Sequence, residues 1–204
     1  MTVTVTSRET GSPAGVVDIT LSDGSRFFVL APLLEHTTME IGDTVELDEV
    51  RAIWLKSERR RVRAKLLDLL SRREYTRREL LQRLQQKGFD GDIAGVVVDE
   101  LAAEGLQDDG RFAAAWIHSR LRRHPEGRGN LLFGLKARGV SGEVAAEALT
   151  DLDREEPDWE EQALRAAFER ASRRTDDPER ITRTLQRNGF VFSQILRYTL
   201  AKGT

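Results

Sequence analysis

The apolar positions of this chain change period once, near residue 50. Before that point they alternate with polar ones. Val3 and Val5 are separated by Thr, while Val17, Ile19 and Leu21 are separated by polar neighbours. Asp23-Gly24 then precedes the aromatic-rich segment Arg26–Leu30. Alternation on both sides of an Asp-Gly turn predicts a hairpin. Gly42-Asp43 followed by Val45 and Leu47 predicts one more short strand, with Pro32 and LLEHTTMEIG as a connection. So small a sheet is marginal alone and is expected to pack on the segment after it.

From about Asp48 the period becomes helical. Ile53 and Trp54 lead into a stripe of Val62, Leu66, Leu69 and Leu70. Thr76 and Glu79 have the spacing of a capping box, in which each side chain caps the other's amide. Leu80, Leu81 and Leu84 follow, and Lys87-Gly88 supplies a helix stop. A third helix is predicted from Asp92 to about Glu104, with Ile93, Val96, Val97 and Leu101 on its apolar face.

This arrangement recurs. Gly88, Gly139 and Gly189 are each preceded by aliphatic residues eight and four positions earlier: Leu80 and Leu84, Leu131 and Leu135, Ile181 and Leu185. An apolar residue follows each Gly, namely Phe89, Val140 and Phe190. A fixed period of this kind marks an array of like supersecondary units. The predicted fold is mainly α: a tandem array of three three-helix repeats forming an elongated body, preceded by a small N-terminal β-rich module. The expected boundaries are 1–50 for the β module and 51–107, 108–153 and 154–204 for the repeats. Within the second repeat, Asp108-Asp109 opens a helix, PEGRGN at 125–130 is a loop, Asn130–Ala137 is a helix, and Ser141 caps Glu143–Leu152. The third restarts near Trp159 and again at Asp177-Pro178, a cap followed by a first-turn proline. Arrays of this type present long surfaces and rarely enclose a deep reactive pocket.

Composition narrows the chemistry. The 204 residues include no Cys, which excludes disulfides, thiol nucleophiles and Cys-ligated metal. His36, His118 and His124 are not grouped with carboxylates at metal-binding spacing, so no metal site is expected. Neither a phosphate-binding P-loop nor a G-x-S-x-G elbow occurs, and Gly127-Arg128-Gly129 reads as a loop. No catalytic residue, cofactor or enzymatic activity is expected. The N-terminus lacks the pattern of a secretion signal and no apolar run is long enough to span a bilayer, so a cytoplasmic monomer without membrane association is expected.

The net charge of −2 is unevenly spread. Residues 57–138 carry a net +6, between an N-terminal part at −5 and a C-terminal part at −3. Within the basic middle, Arg59, Arg60, Arg61 and Arg63 form one cluster, and Arg120, Arg122, Arg123 and Arg128 surround a loop. Guanidinium forks suit phosphate or carboxylate partners, so these eight residues are the candidate partner-binding set. Their bland alternative is the solvated face of charged helices. For Arg120, which falls in the same helical arc as Phe112, Ala113, Trp116 and Ile117, it is a packed stem with its head on a nearby acid.

The stretch GLQDDGRFAAAWIHSRLRRHPEGRGNLLFGLKARGV resembles the central block of the RecX family, bacterial regulators of the RecA recombinase. The shared pattern falls on Leu106, Asp108, Asp109, Phe112, Ala113, Trp116, Arg120, Pro125, Gly127, Leu131, Leu135, Arg138, Gly139 and Val140. SRREYTRRELLQRLQQKGFDGDIAGVVVDEL resembles the family's first unit and LQRNGFVFSQILRYTL its closing unit, so the likeness spans roughly residues 60–204. Gly134 departs from it, standing where an acid is common. The resemblance implies a modulator without chemistry of its own that lies in the groove of the RecA–DNA filament. There it inhibits ATP hydrolysis and strand exchange, and so bears on recombination, DNA repair and the SOS response. A weak nonspecific DNA contact would accompany it. The rival expectation is a helical DNA-binding protein that needs no recombinase.

Overall fold

The computed structural model describes residues 1–11, 15–35, 37 and 39–201; His36 lies outside them. Four strands, β1 (Thr2–Thr10), β2 (Val16–Leu21), β3 (Arg26–Leu30) and β4 (Thr44–Glu46), precede a long helix, α1 (Leu47–Leu70). Eight further helices follow: α2 (Arg77–Gln85), α3 (Gly91–Ala103), α4 (Asp109–Arg123), α5 (Arg128–Ala137), α6 (Gly142–Glu155), α7 (Trp159–Ser172), α8 (Pro178–Arg187) and α9 (Phe192–Ala201). The protein is therefore mostly helical with a small antiparallel sheet at its N-terminus. It divides into two compact units. One comprises Met1–Arg72 with Leu81–Ala103, the other Arg73–Leu80 with Glu104–Thr204.

In the first unit the strands are all antiparallel in the order β3-β2-β1-β4. Period-two alternation sends Val3, Val5, Ile19, Leu21, Val29 and Val45 to one buried face. That face packs with Leu47, Val50 and Ile53 of α1, and Leu34 and Met39 sink into the same core. Leu47 opens the helix and does not extend β4, because Asp48 and Glu49 suit the positive end of a helix. The Ser57 side chain, fully buried, accepts the Leu30 amide at 2.8 Å and so fastens α1 to the end of β3. Farther along α1, Val62, Leu66 and Leu69 are buried, as are Ile93, Ala94, Val97, Val98 and Leu101 of α3. Val96, expected on the apolar face, is instead half exposed, with Val98 inside.

The three glycine stops share one geometry. Gly88, Gly139 and Gly189 have φ of 77°, 93° and 89°, the left-handed region that L side chains avoid. Each Gly amide reaches the carbonyl three residues back at 3.0 Å. The next amide, of Phe89, Val140 or Phe190, reaches five residues back at 3.2 Å. This pair of bonds closes the helix end, and the apolar residue that follows seals it.

Within the second unit the glycine turns have a further role: each seats on the start of an earlier helix. The Arg138 carbonyl accepts the Thr76 hydroxyl at 2.9 Å, at the entry to α2. At the equivalent place 50 residues on, the Gly127 amide donates to the Asn188 carbonyl at 2.8 Å and Asn130 Nδ2 to the Arg187 carbonyl at 2.9 Å. An acid from the following helix completes each junction. Asp109 accepts the Arg77 amide at 2.9 Å, and Glu160 accepts the Arg128 amide at 3.1 Å. Asp109 stands in the first turn of α4, as expected, and also caps α2; Asp108 caps α4, accepting the Gly110 and Arg111 amides. Thr76 caps Glu79 as its spacing predicts, but the Glu79 carboxylate turns to Arg73 at 3.2 Å.

These junctions explain a difference from the predicted elements. Gly127-Arg128-Gly129 is the cap and first turn of α5, not a loop. Two glycines weaken a helix start, but here Glu160 and the Asn188–Gly189 turn hold it. A Cβ on Gly127 would stand 2.4 Å from the Gly189 carbonyl oxygen, so backbone meets backbone.

Gly134, in mid-helix, also has a packing reason. A Cβ there would come within 2.4 Å of the Trp116 ring. The indole occupies that space, with the Arg138 guanidinium 4.9 Å from its centroid, while Phe112, Ala113 and Ile117 are buried beneath. Helix propensity alone favours Ala over Gly by up to ~1 kcal/mol; overpacking a rigid ring costs about 1–3 kcal/mol. Gly134→Ala is therefore expected to lower the urea midpoint, and Trp116→Leu in the same chain to recover part of the loss. A higher midpoint for Gly134→Ala alone would contradict this packing.

Candidate functional site

The eight candidate arginines separate by what their guanidinium groups touch. In the first unit Arg59 is paired with Glu100. Arg61 reaches Glu58 at 2.6 Å and lies over the Phe89 ring at 5.5 Å. Arg63 is half-buried. Arg60 is exposed and, among the described residues, makes no hydrogen bond or ion pair.

In the second unit Arg120 and Arg128 are tied into the fold. Arg120 forks onto Glu126, with Nε to Oε2 at 2.9 Å and Nη2 to Oε1 at 2.7 Å. Bidentate, charge-assisted pairing of this kind is strong and fixes direction, and its hydrogen bond raises the Arg120 pKa further. Arg120 thus links the end of α4 to the loop before α5, with its head on an acid. Arg128 pairs with Asp153 and lies 5.6 Å from the Trp159 ring centroid, and Trp159 Nε1 donates to the same Asp153 oxygen at 2.8 Å. The Arg128 hydrogen bond is the main cause holding the Asp153 carboxyl below the ordinary carboxylate range. Trp159 and Coulomb attraction add to it, and partial burial opposes it.

Arg122 and Arg123 differ. They stand exposed in the last turn of α4 and, among the described residues, have no acid or hydrogen-bond acceptor. A cation at a helix C-terminus gains a few tenths of a kcal/mol from the dipole, which does not require two of them. These two, with Arg60, are the members of the set that remain available to a partner.

A second basic surface escaped the sequence reading. Arg170 at the end of α7, Arg174 just beyond it, and Arg180, Arg183 and Arg187 along α8 line adjoining concavities of the second unit, together with His124. The signal was hidden because residues 139–204 carry a net −3, their acids being spread over α6, α7, the start of α8 and the turns. The period within α8 would have found it: Arg180, Arg183 and Arg187 fall at i, i+3 and i+7, opposite the buried Ile181 and Leu185.

Among the described residues no group of three or more His, Asp or Glu could hold a metal ion. No described helix is long and apolar enough to cross a membrane. What the surface offers chemically is hydrogen-bonding positive charge.

Comparison with known proteins places this geometry. Residues 63–101 match a family model described as the first three-helix domain of RecX, and residues 108–149 match that of the second. A "Regulatory protein RecX" of Chromohalobacter salexigens is 43% identical over 136 residues, covering 65% of this chain and 86% of that protein. Its namesake in Halorhodospira halophila is 42% identical over 141 residues, covering 66% and 83%, and that of Mycobacterium ulcerans is 38% identical over 130 residues, covering 63% and 75%. Among solved structures, a crystal structure of regulatory protein RecX superposes with a TM-score of 0.68 at 19% identity over 99% of this chain and 100% of that one. RecX from Lactobacillus salivarius gives 0.61 at 17% identity, over 71% and 96%. These two likenesses are of fold.

The pairing of Asp153 with Arg128 has a pH signature. A carboxyl whose folded pKa lies below its unfolded value, about 3.9, contributes stability above that value and loses it as pH falls through the folded one. Asp153→Asn is expected to melt below the wild type at pH 7, with the gap closing as pH drops below about 4. A gap that stays constant down to pH 2 would show that the Arg128 pair adds nothing.

Proposed function

Since the chain belongs to the RecX family of regulatory proteins, we propose that it binds the RecA–DNA filament and restrains the recombinase, lowering ATP hydrolysis and strand exchange. It would thereby act on recombination, DNA repair and the SOS response, as a cytoplasmic monomer and through contact alone. The observation that carries this reading is the family match, which runs across both three-helix domains, including the helix that bears Arg122 and Arg123. The division of the arginines supports it: where Arg59, Arg61, Arg120 and Arg128 are taken up by the fold, Arg122 and Arg123 are not. In this reading the repeats, taken as 51–107, 108–153 and 154–204, are the recognition units, and residues 1–50 an appended module. Several weak contacts carried on one chain reinforce each other through effective concentration.

The test is ATP hydrolysis by the cognate recombinase on single-stranded DNA, titrated with this protein. Inhibition at or below stoichiometric amounts is expected. Arg122→Glu with Arg123→Glu is expected to raise the half-inhibitory concentration at least about tenfold, with the melting temperature within a degree or two, as is usual for surface sites. Arg120→Glu, which sets a carboxylate against Glu126, is expected to lower the melting temperature instead. No inhibition by the wild-type protein would reject the proposal. Direct, sequence-dependent DNA binding in its place would favour the recombinase-independent reading.

A further inference from the structure

The basic concavity of the second unit has no part in that proposal, and it is built differently from the Arg122–Arg123 surface. Its larger lobe, about 690 Å³, is lined by Arg174, Thr175, Arg180, Arg183, Thr184, Gln186 and Arg187. Its smaller lobe, about 430 Å³, shares Arg174, Thr175, Thr184 and Arg187 and adds Arg170 and His124. The two lobes share four lining residues and so adjoin. Two rows of guanidinium groups border them. Arg183 and Arg187 stand about 6 Å apart along α8, one helical turn, and Arg170 and Arg174 stand four residues apart on the other side.

The charge is not spent internally. Arg170, Arg174 and Arg187 are exposed and, among the described residues, make no ion pair; the Arg187 guanidinium donates to the Thr184 hydroxyl, at 3.5 Å. Arg180 and Arg183 pair with Asp177 and Glu179 at 3.3 and 3.1 Å, but those pairs are largely exposed, and such pairs are weak and yield readily. The acid that lines the smaller lobe, Glu126, is already held by Arg120. Attraction to the α7 C-terminus accounts for a cation at Arg170 or Arg174. It does not account for Arg174 lining one lobe with Arg180, Arg183 and Arg187, and the other with Arg170 and Arg187.

We propose that this depression binds the phosphodiester backbone of a nucleic-acid strand. A run of phosphates presents one negative charge per nucleotide and matches repeated guanidinium forks. Thr175 adds a neutral group of the kind that contacts phosphate and sugar: its Oγ1 accepts the Asp177 amide at 3.2 Å, on the same rim. An acidic peptide fits less well. Peptide recognition rests on buried apolar or aromatic anchors, and the apolar lining here is limited to Pro125, Ala167 and Ala171. With no aromatic side chain in the lining, bases have nothing to stack on. Binding is therefore to the backbone, indifferent to sequence and strongly dependent on salt.

The experiment uses the full chain without recombinase, so its result is separable from the inhibition assay. Anisotropy of a labelled oligothymidylate is followed across a salt series, with polyglutamate and inorganic phosphate as competitors. The wild type is expected to bind with a steep negative slope of log affinity against log salt. Arg170→Gln, Arg174→Gln and Arg187→Gln together are expected to flatten it by about 2, since each single-strand phosphate left without its cation removes about 0.7. The matching Lys triple variant, which keeps the charge, is expected to hold most of the slope and guards against a misfolded Gln variant. Wild-type affinity and slope in a folded Gln triple variant would overturn the proposal. So would polyglutamate displacing the oligonucleotide at lower charge concentration than unlabelled oligothymidylate does, which would assign the depression to an acidic protein.

Discussion

A helix end leaves backbone groups without partners inside the helix, and something outside it must supply them. This chain meets that constraint by setting the end of one helix on the start of another. The Arg138–Gly139 turn lies on Thr76 and Arg78, and the Asn188–Gly189 turn lies on Gly127, Gly129 and Asn130. In each junction a carbonyl from the closing helix meets a donor from the opening helix, and an acid one helix away caps the first amide. Close approach is the condition. A Cβ on Gly139 would fall 2.6 Å from Arg78 Cβ, and one on Gly189 would fall 2.6 Å from the Asn130 amide nitrogen. Positive φ explains why a glycine ends each helix; contact explains why no side chain could be added at these two even if the backbone allowed it.

Gly88 and Pro178 depart from this arrangement. Gly88 has the φ of its counterparts, but a Cβ there would meet nothing within 4 Å. At the other end, Pro178 stands where Arg77 and Arg128 offer an amide to the next acid. Proline has no such amide, and Asp177 caps the Glu179 and Arg180 amides from within the same helix. The exposed face of α8 carries Arg180, Arg183 and Arg187, and this is where the basic concavities lie.

Much of this was legible in the residues. The change of period near residue 50, the three glycine stops, the Ser141 and Asp177 caps and the buried Phe112 all follow from local rules. The nearby acid that the plainer reading of Arg120 asks for is present as Glu126. What could not be read locally depended on another segment. Asp109 reads as an acid in the first turn of its own helix, and its second role at Arg77 shows only in the fold. Gly134 looks like a helix defect until Trp116 fills the space. The arginines of α8 vanish into an acidic average over residues 139–204, because net charge ignores which face of a helix a residue occupies. Among the eight candidate arginines, Arg59, Arg61, Arg120 and Arg128 have carboxylate partners, whereas Arg60, Arg122 and Arg123 stand exposed without one among the described residues.

The junction is the claim on which the rest stands, and amide hydrogen exchange in the first turn of α2 probes it most directly. Gly139→Ala is expected to speed exchange at Arg77 and Glu79 at least about tenfold, although the substitution lies some sixty residues away in sequence, because the turn would no longer seat there. Gly88→Ala, at the far end of α2 itself, is expected to leave those two amides close to their wild-type rates. Equal protection of Arg77 and Glu79 in Gly139→Ala and wild type would contradict the account.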